Sequence, residues 1–148
     1  MPVFNDLLCP LDGLPLHHAD RSLRCPSGHT FDIAKTGYVN LLPVQNKRSK
    51  DPGDSKEMVN ARHDFLATGK YSPIVDALLQ CLPEWLSGHS LLRVLDAGCG
   101  EGYYLDQLRA GPASYAGASE WIGLDISKWA IQKAGKRSKE VSWIVGSN

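Results

Sequence analysis

The stretch that decides the fold is VLDAGCGEGYYL, residues 94–105, in which three glycines follow an apolar run at alternate positions. The run LLRVLDAG predicts a buried β-strand, and GYYLDQLR predicts a short helix directly after it. Gly98, Gly100 and Gly102 therefore fall in a strand-to-helix turn, where glycine can adopt positive φ and backbone amides can approach a ligand. We expect this turn to belong to a nucleotide site at the carboxyl edge of a parallel sheet.

The spacing of the glycines indicates which kind of nucleotide binds. A dinucleotide fingerprint reads G-x-G-x-x-G, whereas this turn reads G-x-G-x-G and is preceded by Asp96. An acidic residue there favours a ligand with a positively charged end and no phosphate. Asp125 follows at the end of the next predicted strand, where a carboxylate can accept hydrogen bonds from both ribose hydroxyls. The alternative is a turn whose glycines serve packing alone.

The surrounding pattern alternates between helices and strands. Helices are predicted around Met58–Leu66 and Ile74–Leu82, and we expect Pro83 to end or bend the second of these. WIGLDIS predicts a second strand, Ser127 is placed to cap a helix through KWAIQKAGKR, and VSWIVGS predicts a third strand. This order is typical of an α/β fold with a parallel sheet and right-handed crossovers. We expect the third strand, Val141–Val145, to lie at one side of the sheet.

The N-terminal third is turn-rich and carries too little apolar material for a core of its own. Cys9-x-x-Asp12 precedes Cys25-x-x-x-His29, each beside a proline or glycine turn, as in the knuckles of a small zinc module. A bound metal would explain how such a segment folds. His17 and His18 are possible substitute ligands. In the competing interpretation, the two cysteines are small buried residues and the site is vestigial.

Composition limits the classes of function. The 148 residues carry 16 Lys+Arg and 16 Asp+Glu, so the overall charge gives no reason to expect binding to nucleic acid or membrane. We find no signal-peptide pattern and no apolar run long enough to span a membrane, and we expect a cytoplasmic protein. Any RNA contact must be local, and Lys47, Arg48 and Lys50 in the polar segment 47–57 are candidates for phosphate contacts.

Three stretches in this order resemble one family. RCPSGHTFDIAKTGYVNLLP, KRSKDPGDSKEMVNARHDFLATGKY and VLDAGCGEGYY are similar to the 23S rRNA (guanine-N1)-methyltransferases of the RlmA/RrmA type. The resemblance implies S-adenosylmethionine as cofactor and a zinc ion. By resemblance, Cys9, Cys25 and His29 fall on zinc ligands, and Asp12 stands where the family has cysteine. Tyr71 and the turn at Gly100 and Glu101 fall on cofactor contacts.

The resemblance also implies an organisation and a partner. We expect a zinc-ribbon-like RNA-recognition module at 1–46, a charged linker at 47–57 and the first half of a Rossmann-like methyltransferase domain at 58–148. The expected partner is a 23S rRNA hairpin, and a homodimer is possible. The motifs assign no catalytic residue, and we expect the chain to be an N-terminal part of the family's fold. The competing functions are a non-catalytic, zinc-dependent RNA-binding fragment and a nucleotide-dependent oxidoreductase.

Overall fold

The computed structural model describes residues 4–44, 49–86, 92–111 and 119–147, which form two β-sheets and four helices. The strands are β1 (His17–Ala19), β2 (Ser22–Arg24), β3 (Thr30–Asp32), β4 (Tyr38–Asn40), β5 (Leu92–Ala97), β6 (Ser119–Asp125) and β7 (Ser142–Val145). The smaller sheet is antiparallel, with strand order β1-β2-β3. The larger sheet is parallel, with strand order β4-β7-β6-β5. The helices are α1 (Lys56–Ala67), α2 (Ser72–Leu86), α3 (Tyr103–Arg109) and α4 (Lys128–Arg137).

The α/β order predicted for the C-terminal part is confirmed. β5, β6 and β7 are the three predicted strands and pair in parallel, with α3 and α4 in the crossovers. The predicted cap is also present, since Ser127 precedes α4 in an extended conformation and its Oγ accepts a hydrogen bond from the Ala130 N–H at 3.3 Å. The carboxyl ends of β5 and β6 therefore lie together at the edge where the glycine turn begins.

The expectation that the third strand lies at one side of the sheet is wrong. β7 lies between β6 and β4, because β4 from the N-terminal third pairs with it in parallel, with Tyr38 opposite Trp143 and Asn40 opposite Val145. β4 has three residues, too few to show alternation in the sequence. Val39 at its centre is fully buried, and this burial is the reason that so short a segment joins the sheet.

Pro83 does not end α2, which continues to Leu86. A proline within a helix lacks one backbone donor and clashes with the preceding turn, but it does not stop the residues after it from remaining helical. Of the two expectations for Pro83, the one that it ends the helix is wrong, and the one that it bends the helix stays a prediction.

The hydrophobic core has two parts on opposite faces of the parallel sheet. One part packs α2, α3 and α4 around buried residues that include Leu105, Ile131 and Trp143. The other joins the N-terminal segment to the sheet, with Leu23, Val39 and Ile144 in one cluster. The N-terminal third therefore completes its small core by sharing it with the sheet. No helix in the described part of the chain is long and apolar enough to cross a membrane.

Candidate cofactor cavity and metal cluster

A cavity of about 390 Å³ lies at the carboxyl edge of the parallel sheet, between α1 and the glycine turn. Of the residues predicted to bind the cofactor, Tyr71, Gly98, Gly100 and Glu101 line it, while Asp96, Gly102 and Asp125 lie outside its lining. The sequence interpretation missed the wall formed by α1. The lining residues are Arg62, Phe65, Leu66, Tyr71, Gly98, Cys99, Gly100, Glu101, Tyr103 and Tyr104.

The three glycines of the turn differ in what surrounds them, although all have positive φ. A Cβ placed on Gly98 or Gly100 would meet no atom within 4 Å, so these two positions are open to the cavity. A Cβ on Gly102 would instead collide with the ring of Trp143. Gly98 and Gly100 therefore leave room for a ligand, whereas Gly102 leaves room for a core tryptophan.

Asp125 holds the glycine turn against the start of α4. Its Oδ2 accepts a hydrogen bond from the Gly100 N–H and its Oδ1 accepts one from the Ser127 N–H, both at 2.8 Å. The Gly98 and Cys99 N–H groups both donate to the Leu124 carbonyl, at 2.8 and 3.0 Å, so three backbone N–H groups of the turn are hydrogen-bonded to β6. Because carboxylate oxygens can each accept more than one hydrogen bond, Asp125 keeps acceptor capacity for a ligand.

The pKa values of the Asp96 carboxyl and the Cys99 thiol are both raised above their ordinary values. Burial, and then repulsion from Asp125, raise the pKa of the half-buried Asp96 carboxyl. Burial is also the main cause that raises the pKa of the Cys99 thiol, with Asp96 and Asp125 adding to it. A thiol whose pKa is raised is a poor nucleophile, so Cys99 is poorly suited to nucleophilic catalysis. A cation near Asp96 would relieve the cost of its negative charge.

Glu101 differs from its neighbours because its carboxylate is already paired. The side chain is 2 % exposed, and Oε2 lies 2.8 Å from His63 Nδ1 while Oε1 accepts from Arg137 Nη2 at 3.0 Å. Lys133 Nζ lies 3.9 Å from the same carboxylate. His63 comes from α1 and the two cations come from α4. Nothing in the sequence pattern could identify these partners, because they are more than thirty residues from Glu101.

The segment predicted as a linker is attached where the structure describes it. The Ser127 hydroxyl donates to the Asp54 carbonyl at 2.7 Å, and a Cβ on Gly53 would collide with Ile126 and Ser127. This close approach requires a glycine at position 53, where φ is +84°. The candidate phosphate contacts at 47 and 48 lie outside the described residues, and Lys50 is exposed.

The four predicted metal ligands are brought together by the N-terminal turns. One ligand atom from each of Cys9, Asp12, Cys25 and His29 lies within 4.8 Å of the others. His29 Nδ1 is 3.0 Å from Asp12 Oδ2 and 3.4 Å from Cys25 Sγ, and it is 3.5 Å from Cys9 Sγ. The other Asp12 oxygen accepts from the Leu14 N–H at 3.0 Å, which leaves Oδ2 directed at the cluster.

This donor set fits a zinc ion. Two thiols, one imidazole and one carboxylate supply four ligands of the types that tetrahedral zinc accepts, and ligand atoms on a shared ion lie roughly 3 to 4 Å apart. Both cysteines are buried, so the site is closed on the protein side. His17 and His18 do not belong to the cluster, and the Phe4 N–H donates to His18 Nε2 at 3.3 Å.

Comparison with known proteins gives matches to both parts of the chain. A sequence model for the N-terminal zinc ribbon of RlmA matches residues 7–50, and a model of a methyltransferase domain matches residues 88–144. A putative 23S rRNA (guanine-N(1)-)-methyltransferase of Micromonospora griseorubida is 39% identical over 146 residues, and the match covers 88% of this chain and 47% of the relative. Over most of its length the chain is similar to RlmA-type methyltransferases.

Two other relatives agree with this assignment. A putative 23S rRNA (guanine-N(1)-)-methyltransferase of Bacillus subtilis is 37% identical, with 96% of this chain and 50% of the relative covered. The 23S rRNA (guanine(748)-N(1))-methyltransferase of Streptomyces fradiae is 35% identical, with 92% of this chain and 46% of the relative covered. The chain therefore carries an RlmA-type zinc-ribbon domain and a methyltransferase domain, and it spans about half the length of these relatives.

Proposed function

We propose that this chain takes part in S-adenosylmethionine-dependent methylation of guanine N1 in 23S rRNA. The observation that carries the proposal is the open glycine turn. Gly98 and Gly100 leave space beside the cavity, and Asp125 fixes the Gly100 amide through a 2.8 Å hydrogen bond. Such a turn brings backbone amides close to a ligand without steric conflict, at the strand edge where nucleotides bind in α/β sheets.

The chain's own residues bind and orient the cofactor. The remaining acceptor capacity of Asp125 suits the ribose hydroxyls, and Asp96 offers negative charge to the cationic end of the ligand. Tyr71 contributes an aromatic side chain from the turn between α1 and α2, opposite the glycines. When bound, the cofactor supplies an electrophilic methyl group. Guanine N1 carries a proton and faces its pairing partner, so the target base must be unpaired and deprotonated for transfer.

The zinc ribbon supplies the second part of the proposal. Zinc held by Cys9, Asp12, Cys25 and His29 would fix the turns that carry the module, and its role there is structural, because all four protein ligands close the coordination sphere. We propose that the module contacts a 23S rRNA hairpin, with Lys50 and the neighbouring Lys47 and Arg48 near its phosphates. The relatives described above are named as 23S rRNA methyltransferases, which supports 23S rRNA as the substrate. A cytoplasmic location and a homodimer stay predictions.

The proposal is tested by calorimetric titration of the zinc-loaded protein. We expect binding of S-adenosylmethionine and no binding of NAD, because the turn lacks the glycine spacing of a pyrophosphate site. Gly100→Val should abolish binding, because the new side chain fills the open space beside the turn and a β-branched residue is strained at the positive φ of this position. Its unfolding transition should stay cooperative. Binding of NAD in place of S-adenosylmethionine would favour the oxidoreductase. Transfer of a radiolabelled methyl group to a 23S rRNA hairpin separates an enzyme from a non-catalytic RNA-binding module.

A further inference from the structure

Glu101 brings a buried negative charge to the wall of the cavity. A carboxylate that is 2 % exposed loses most of its hydration, and this cost must be offset by partners with good geometry. Its partners are His63, Lys133 and Arg137, which we call with it the Glu101 cluster. The cluster joins three parts of the chain: the glycine turn, α1 and α4.

Helix α1 depends on such polar links because it has little apolar attachment. Of its twelve residues, Val59 and Leu66 are buried, while Met58 and Phe65 remain 54% and 41% exposed. Two further contacts tie the same helix and its start to α4 and the turn before it. Lys133 Nζ donates to Asn60 Oδ1 at 3.0 Å, and the Ser127 hydroxyl donates to the Asp54 carbonyl.

The same helix forms one wall of the cavity. Arg62, Phe65 and Leu66 line it, and His63 is the neighbour of Arg62 that faces Glu101 instead. Glu101 itself sits between Gly100 and Gly102, so one residue connects the turn to the opposite wall. A shift of α1 would therefore change the width of the cavity at the glycines.

We infer that Glu101, acting through His63 and Arg137, is a positioning residue that holds α1 at the correct distance from the glycine turn for cofactor binding. This inference rests on the proposed cofactor function and deepens it. The Glu101 carboxylate bonds to the other members of the cluster, and the ligand contacts the backbone of the turn and the side chains of α1. In this role the Glu101 carboxylate makes no direct contact with the cofactor.

The competing role, a direct hydrogen bond from Glu101 to the cofactor, gives a different mutational pattern. If Glu101 acts through His63, then removing either side chain breaks the same link, and the double variant binds about as weakly as each single variant. If Glu101 binds the cofactor directly, His63→Ala frees the carboxylate and leaves the affinity unchanged or higher. The affinity of His63→Ala therefore distinguishes the two roles: weaker binding supports positioning, and unchanged or tighter binding supports direct contact.

The experiment measures the dissociation constant of S-adenosylmethionine by calorimetry, well below the unfolding temperature, for the wild type, Glu101→Gln, His63→Ala, the double variant and one control. The control is Glu120→Gln, which breaks another partly buried pair, Arg93 Nε to Glu120 Oε2 at 2.8 Å, away from the cavity. Hydrogen exchange of the Lys56–Ala67 amides is measured on the same proteins without ligand.

We expect each single variant to bind at least about fivefold more weakly, the double variant to lose no more than about twofold beyond that, and the control to bind like the wild type. Amides of α1 should exchange faster in the cavity variants than in the control. Unchanged affinity in Glu101→Gln and His63→Ala, with binding by the wild type, overturns the inference and leaves the proposed function intact. No binding by the wild type overturns both.

Discussion

At the scale of single residues, neighbouring positions of the glycine turn have different roles: some leave space for a ligand and others leave space for core packing. Gly100 and Gly102 differ by two positions, yet one opens to the cavity and the other makes room for Trp143. The placement of the glycines in a strand-to-helix turn and of Asp125 at the end of the next strand could be predicted from the sequence, because both follow from the order of strands and helices. The role of Gly102 could not, because it depends on a tryptophan from a distant strand.

Asp96 should show a conflict between stability and binding. Its pKa is raised mainly by burial, so the ionised form costs free energy in the folded state. The protonated carboxyl carries no such cost, so this part of the folding stability is fully present below the ordinary carboxyl pKa. It is lost as the pH rises through the pKa that Asp96 has in the folded state. We expect Asp96→Asn to raise the free energy of unfolding at about pH 7, with the difference vanishing near pH 3, where both states are protonated.

The same substitution should weaken S-adenosylmethionine binding, because the cationic ligand loses a nearby carboxylate. Urea unfolding across this pH range and calorimetry at neutral pH measure the two effects. If the Asp96→Asn variant is less stable than the wild type at neutral pH, Asp96 is not a strained carboxylate and the assignment fails.

At the scale of elements, the helices of this chain differ in how they are held. Both α1 and α4 begin at a serine whose Oγ accepts from a backbone N–H at 3.3 Å, Ser55 from Met58 and Ser127 from Ala130. Ser127 is 1% exposed and also donates to the Asp54 carbonyl. The two caps therefore form a matched pair that differs in burial and in the second hydrogen bond.

Ser127→Ala should lower the free energy of unfolding by roughly 2 to 3 kcal/mol, because it removes the buried cap and leaves the partly buried Asp54 carbonyl without its donor. Ser55→Ala should cost about 1 kcal/mol, the usual loss of a more accessible cap. Urea denaturation of both variants measures the difference. Equal losses would mean that the link between the linker and α4 contributes nothing to stability.

Helical periodicity and caps explain why the helices could be predicted while other elements could not. The apolar spacing of α2 and α4 and the serine before α4 are local signals, readable without any tertiary contact. β4 has no such signal, since its three residues become a strand through the partner offered by β7. The cavity wall on α1 was also missed, because the Glu101 cluster brings together residues that are distant in sequence.

At the scale of the whole molecule, the zinc ribbon and the parallel sheet share one hydrophobic cluster. Leu23 of β2, Val39 of β4 and Ile144 of β7 are buried together, with both cysteines of the metal cluster in the same group. A metal that binds only the folded state stabilises every part of the protein that unfolds together with the metal site. The effect of zinc should therefore reach the sheet.

We expect purified protein to hold close to one zinc per chain and Cys25→Ser to lose it. Asp12→Cys should hold zinc more tightly, because a thiolate is the softer ligand. Elemental analysis and competition with a colorimetric chelator measure content and affinity. Wild-type protein prepared without chelators and found free of zinc would contradict the metal site.

Removal of zinc should also speed amide hydrogen exchange in two places: the turns around the four ligands, and β7 in the sheet. The reason is that Ile144 packs against the same cluster as Cys9 and Cys25, so loosening the ribbon exposes one face of its strand. The helix α3, whose Leu105 belongs to the cluster on the other face, serves as the internal control and should change less. Faster exchange confined to β1, β2 and β3 would mean that the ribbon folds as an independent unit. In that case the pairing of β4 with the sheet would not couple the stability of the ribbon to that of the parallel sheet.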